Sequence, residues 1–362
     1  MAHNLEINNG VASYVENGKK ERAWHGLGQV FDGPIMVEEA LKLSHADYTV
    51  EKQPIVALTP EIIEALGGND MVHLNDLISQ SIIEGKMATI RTDKQRVLGV
   101  VSDSYGVVQN AEAFKFIDVL CSGELGNHAP VIETAGVLGK GERIFITAKF
   151  SEQIILDNKS DDRVEMYVVF TTSHDGTGAV NCMVTPTRVV CNNTLNMAFK
   201  NHQGKISLRH SANIMQRLDL SSRENAEFAY RTLNMMDVYK KSLEESLFHL
   251  RNIRLSDKDV ENLFAKVMLS DANFKTFQET RNLYHDDIAT KGRNLMLGAI
   301  EALHCGVGQE YGEKGTGLWA LNGLTTYFQN QHSYKNEEAK FISIQQGRVA
   351  DKLQKAYDFL VA

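Results

Sequence analysis

The chain has 362 residues, 43% of them hydrophobic, enough for one large or two medium domains around a sizeable core. Its formal charge of −8 is an objection to any globally basic nucleic-acid binder, and its four cysteines show neither CxxC spacing nor disulfide-like density. No apolar run approaches the roughly 20 residues needed to cross a bilayer and the first ten residues hold no signal-peptide pattern, so a reduced, cytoplasmic protein without membrane contact is expected.

Residues 22–34, RAWHGLGQVFDGP, form a glycine-punctuated opening with Trp24 as an apolar anchor. Met36–Leu43 reads as a short helix and Tyr48–Leu58 as a strand interrupted by Pro54. Thr59-Pro60 is a cap-plus-proline start for a helix that runs to Leu66 and stops at Gly67-Gly68. MATIRT (87–92) and RVLGVVS (96–102) are two strands around an Asp93-Lys94 turn, and Asn110 caps the helix AEAFKFIDVLC (111–121). VIETAGVL (131–138) and RIFITAKF (143–150) make a hairpin across Gly139-Lys140-Gly141. Strands that arrive in pairs, rather than alternating with helices, predict an α+β fold with an antiparallel-rich sheet and packed helices.

The stretch from Arg163 to Leu218 organises the reading. It gives a strand (RVEMYVVFTTS), a turn (HDGTG), a second strand (AVNCMVT), and then a helix started by Thr185-Pro186 and running to Lys200. Fourfold spacing would put Arg188, Asn192, Asn196 and Lys200 on one stripe with Asn193 beside it, and Cys191, Leu195 and Phe199 on the opposite, apolar side. From Gly176 to Leu218 there is no Asp or Glu, while Arg188, Lys200, Lys205, Arg209 and Arg217 contribute five positive charges, so the rest of the chain carries about −13. Cations and amides on one helix face suit phosphates and base edges.

After residue 211 strand patterning ends. Ser221 and Glu224 open a long helix to about Leu250, Ser256 and Asp259 open another (VENLFAKVM), and further helices are expected over 272–303, 317–330 and 336–360. The predicted division is an α+β domain over 1–210, with an N-terminal extension, and a helical region over 211–362 packed upon it.

Candidate chemistry is sparse. Ser173-His174-Asp175 is not a catalytic triad, because neighbours on a strand end cannot contact one another in triad fashion, and Asp175-Gly176 is first of all a turn signal. His174 and Asp175 are the catalytic candidates, as acid/base groups or as ligands of a metal or phosphate at a strand end beside the basic helix. Cys191 with His174 is a conceivable thiol and base, although a buried inert thiol is the commoner state for a cysteine on an apolar face. The histidines offer no HxH or HxxxH pair, so no metal site and no cofactor is expected. GEKGTGLW lacks the strand before it and the GK[ST] ending of a nucleotide loop, and Trp319, Tyr327 and Phe328 read as core.

AWHGLG (23–28), EEALKLSHADYTVEKQP (38–54), YGVVQNAEAFKFID (105–118), TTSHDGTGAV (171–180), TPTRVVCNNTL (185–195) and GTGLWALNGLTTY (315–327) together resemble a family of uncharacterised phage- and plasmid-like proteins carried on mobile elements. That resemblance implies a mobile-element origin and brings no known active site. In architecture alone the chain is similar to phage single-strand annealing proteins, which set a compact antiparallel sheet against a long helix and form oligomers with a basic groove. The expected function is binding of single-stranded nucleic acid by a homo-oligomer in DNA annealing or recombination. Arg188, Lys200, Lys205, Arg209 and Arg217 would hold phosphates, and Asn192, Asn193 and Asn196 would contact sugars or bases. The alternatives are a nucleotide or phosphoester enzyme using His174 and Asp175 with Arg188 as clamp, and a module that binds a host defence protein.

Overall fold

Val164, Met166, Val168 and Phe170 alternate along one strand and all are buried, so residues 163–173 form the middle of the main sheet. The computed structural model describes residues 5–18, 27–68, 70–122, 129–157, 162–188, 193–194, 205–211, 222–306, 309, 313–335, 339–340, 343–344 and 347–362. In chain order the first elements are β1 (Ile7–Asn8), β2 (Val11–Ala12), β3 (Tyr14–Asn17), β4 (Gln29–Phe31) and α1 (Val37–Leu43). There follow β5 (Val50–Val56), α2 (Pro60–Leu66), α3 (Met71–Gln80), β6 (Ile82–Arg91), β7 (Arg96–Ser102) and α4 (Asn110–Cys121). The strands β8 (Val131–Leu138), β9 (Arg143–Asp157), β10 (Asp162–Ser173), β11 (Val180–Arg188), β12 (Asn193–Thr194) and β13 (Lys205–Leu208) come next. The remainder holds α5 (Ser222–Asn252), α6 (Asp257–Met268), α7 (Asp271–Thr280), α8 (Thr290–Cys305), α9 (Gly317–Thr326) and α10 (Arg348–Val361).

The main sheet runs β12-β11-β10-β9-β8-β3-β4, with β13 also paired to β11, and every pairing but β3–β4 is antiparallel. A second antiparallel sheet, β5-β6-β7, carries α2 and α3 in the connection between its first two strands. This is the expected α+β class, with helices concentrated towards the C-terminus. Phe116 of α4 meets Phe170 edge-on at 5.2 Å, and Cys182 of β11 touches Thr232 of α5, so one hydrophobic cluster runs from the sheet into the helices.

Two helix expectations need correction. Thr185-Pro186 does not start a helix: β11 passes straight through them, with Met166 opposite Pro186 and Val164 opposite Arg188. The outer side of β11 is taken by β13 at Val180–Met183 and by β12 at Thr187–Arg188. Pro186 falls between these partners, where a missing N–H disrupts no outer ladder. Asn193 lies in β12 opposite Arg188, and Cys191, Asn192, Asn196, Lys200 and Arg217 lie outside the described residues. The described members of the expected helix face, Arg188 and Asn193, are therefore strand residues.

The helix expected over 272–303 is two helices, α7 and α8. Arg281 closes α7 in the left-handed region (φ 53°), and Asn282 and His285 accept backbone N–H bonds in the turn that follows. By contrast, Ser256 and Asp259 form the expected capping box, and Trp319, Tyr327 and Phe328 are core. Trp24 and Ser221 lie outside the described residues.

Arg91 of β6 is wholly buried and ties the amino terminus to the second sheet. Its Nη1 donates to Glu6 at 2.8 Å, its Nε donates to Asp93 at 2.7 Å, and its guanidinium lies 3.7 Å from the centre of the Tyr48 ring. Lys94 reaches the same Glu6 carboxylate at 2.7 Å.

Candidate functional site

The HDGTG turn joins β10 to β11 and is gripped from three sides. His174 N–H donates to the Glu142 carbonyl at 2.7 Å, and the His174 carbonyl accepts from Thr89 Oγ1 of β6 at 2.6 Å. Behind Asp175 stands Gly99 of β7, where an added Cβ would lie 2.5 Å from the Asp175 Cα. Only glycine lets the two backbones approach so closely. Replacing Gly99 by Ala should therefore part the second sheet from the turn and cost about 1–3 kcal/mol in urea unfolding. An unchanged midpoint would show that this close approach is dispensable.

The His174 side chain is completely buried and serves as a clasp to α4. The Asn110 amide donates to the carbonyls of Ala46 (2.8 Å) and Tyr48 (3.4 Å), so its oxygen faces His174 Nε2 at 2.8 Å as an acceptor. The His174 proton is thus on Nε2, and Nδ1 is a bare lone pair with no partner among the described residues. Asn110 is not the cap of α4 that the sequence suggests. It is the first helical residue, and the cap position is Gln109, whose N–H donates to Glu112.

His210, just beyond β13, mirrors this arrangement. Its Nδ1–H donates to the Gly106 carbonyl at 3.1 Å, its ring stacks on Tyr105 at 4.9 Å, and its Nε2 has no partner among the described residues. Burial, and secondarily His210, pushes the His174 pKa down to about 3. Burial also lowers that of His210. Both rings are neutral at pH 7. Thr172 Oγ1, Ser173 Oγ and Asn181 Oδ1 are likewise buried around this end of β10 and β11, without a partner among the described residues.

Asp175 differs from its neighbour. Its carboxylate accepts from Thr177 N–H at 2.9 Å and from Thr177 Oγ1 at 2.7 Å, and it faces Arg143 at 4.0 Å. That is an Asx turn with a matched counter-charge, the structural role that Asp-Gly suggested.

Beside the turn opens a cleft of about 420 Å³, lined by Tyr105, the segment Gly176–Ala179, Asn181, Ser207, Arg209 and His210. Asn181 and Ser207 face each other across β11 and β13, and Arg209 is exposed. A second hollow, of about 370 Å³, lies on the other side of Tyr105 and Gly106.

Of the sequence candidates, the fold brings Arg209 to the turn that follows His174 and Asp175, where it shares the cleft with Gly176–Ala179, and leaves Arg188 away from it. Arg188 ends the nine-residue β11 and His174 lies beyond its other end, a separation of roughly 30 Å at about 3.3 Å per residue. Arg188 cannot clamp a phosphate at His174. Tyr105, Asn110, Asn181 and His210 have no signal in the sequence, since only folding gathers them. Cys182 is buried, its thiol pushed up to about 12 by burial, and is no nucleophile. Among the described residues no three His, Cys, Asp or Glu side chains come together to hold a metal, and no helix is long and apolar enough to cross a membrane.

Fold and cleft together define an α+β protein with a polar site at the end of an antiparallel sheet. The chain belongs to the DUF932 family, a domain of unknown function whose sequence model matches residues 97–349. No curated protein and no solved structure matches it.

Proposed function

We propose that the protein binds single-stranded nucleic acid along the outer edge of the main sheet, in the annealing or recombination of mobile-element DNA, and acts as a homo-oligomer. One observation carries this reading: the acid-free stretch from Gly176 contributes β11, β12 and β13, which together form one edge. Arg209 follows β13 at the cleft end, Lys205 begins β13 opposite Met183, and Arg188 ends β11 roughly 30 Å away. Cations strung along an edge suit a polyanion better than a compact ligand. The net charge of −8 supplies no global attraction, so such binding rests on local phosphate contacts and weakens as salt rises.

Fluorescence anisotropy with a labelled oligothymidine tests the reading. Binding should weaken steeply with salt. The double substitution of Arg188 and Lys205 by Ala should lower the salt slope by about 1.4, or ~0.7 for each phosphate that a single strand then leaves unneutralised. Affinity that ignores salt, or absent binding, would refute it.

The bare nitrogens of His174 and His210 favour a second reading, a nucleotide or phosphoester enzyme with Arg209, rather than Arg188, as the phosphate partner. Turnover of a nucleotide or phosphodiester, abolished by His210→Ala, would select it.

A further inference from the structure

We infer that the turn Gly176–Ala179 and Arg209 form a phosphate site, and that the group it takes is the terminal phosphate of a strand lying on the β11–β13 edge. The strand half of this statement rests on the nucleic-acid reading above; the phosphate half does not.

The donors come first. The backbone N–H groups of Gly176, Gly178 and Ala179 donate to no acceptor among the described residues, and all three residues line the cleft. The Thr177 N–H between them is taken by Asp175, which leaves the consecutive amides of Gly178 and Ala179 and the single amide of the left-handed Gly176 (φ 79°) free, a turn whose unpaired N–H groups suit an anion. Gly178 is glycine for a steric reason, since a Cβ there would lie 2.4 Å from Ser173 Oγ. That hydroxyl is 1% exposed, lies beneath the turn and has no partner among the described residues. Arg209 adds the charge and a planar fork that matches phosphate oxygens.

The nearest acidic group does not spoil the site. Asp175 directs its oxygens at Thr177 and faces Arg143, so turn and partner are together neutral. The uncharged His210 and the polar Asn181 complete the wall.

The end of the strand is implied by where the cleft lies. β13 stops at Leu208, β11 starts at Val180, and the turn beyond is backed by Gly99 against Asp175. A polymer following the edge runs into that wall. A terminal phosphomonoester carries close to two negative charges at pH 7, against one for an internal diester, and draws more from the same donors.

The test uses the full chain and four probes: an oligothymidine with a 5′-phosphate, one with a 3′-phosphate, one with neither, and inorganic phosphate as competitor. One phosphorylated end should bind on the order of tenfold tighter than the unphosphorylated strand, the equivalent of one charge-assisted hydrogen bond. Arg209→Ala should erase that preference without moving Tm, because the side chain is exposed. Equal affinity for all three strands would overturn the terminal-phosphate site while leaving the salt-sensitive edge standing. Direct calorimetric binding of inorganic phosphate, lost in Arg209→Ala, in a protein that binds no strand would keep the site and remove the nucleic-acid reading.

Discussion

Replacing Arg91 by Leu is expected to cost about 3–5 kcal/mol of folding stability, a large part of what a domain of ordinary stability holds. Arg91 is 1% exposed and Glu6 is 3% exposed. Taking away the guanidinium leaves the Glu6 carboxylate buried with only Lys94 and the Ser13 hydroxyl, and leaves the Tyr48 ring without the cation stacked on it. The loss comes from stranding a desolvated charge rather than from the worth of the pair. Salt should change it little, since a buried pair is poorly screened. Converting Glu6 to Leu in the same chain should recover part of the stability, because the stranded charge goes with it. Urea unfolding checks both; a loss below about 1 kcal/mol for the single variant would mean that water reaches Glu6.

The second large effect is acid sensitivity. His174 has a folded pKa near 3 against an ordinary 6.5, with burial as the main cause and His210 the next. The unfolded chain therefore binds more protons below pH 6.5. The stability contributed by neutral His174 is complete above that pH and is lost as pH falls from 6.5 towards 3. The slope approaches about 1.4 kcal/mol per pH unit for one proton. The shift of His210 has the same direction and adds to it. Carboxylates also titrate in the lower part of this range, so His174→Gln supplies the comparison. Its amide can donate to Asn110 but does not titrate, and its stability should fall less steeply between about pH 6.5 and 4.5. Parallel curves for the two proteins would show that His174 is already charged, or relieved, in the folded state.

Local signals in the sequence carried much of this fold. Val164, Met166, Val168 and Phe170 alternate cleanly, Asp175-Gly176 marks a turn, and Ser256 with Asp259 marks a helix start; all three appear as read. The segment 185–200 misled because two local signals pointed one way. A threonine-proline pair and fourfold-spaced polar residues both say helix, whereas Val180, Cys182, Val184 and Pro186 alternate onto a buried face. The register with β10, a long-range pairing, decides for the strand. The break between α7 and α8 was hidden for another reason: a left-handed Arg281 has no glycine to announce it.

The site was legible only in part. The acid-free window pointed to Arg209, and TSHDGTG to the right turn. Tyr105 and Asn110 come from the segment that leads into α4 and His210 from beyond β13, and no shared pattern links the two. His174 proved to be a clasp between sheet and helix, which a conspicuous motif does not distinguish from a reactive group.

Ultraviolet crosslinking of the protein to a single-stranded oligonucleotide, followed by peptide mapping, tests the central claim most directly. Crosslinked peptides should fall within residues 176–211 and around Tyr105, along the β11–β13 edge and in the cleft, and should fade as salt rises. Crosslinks confined to the helices after residue 222, at saturating strand, would contradict the edge as the binding surface.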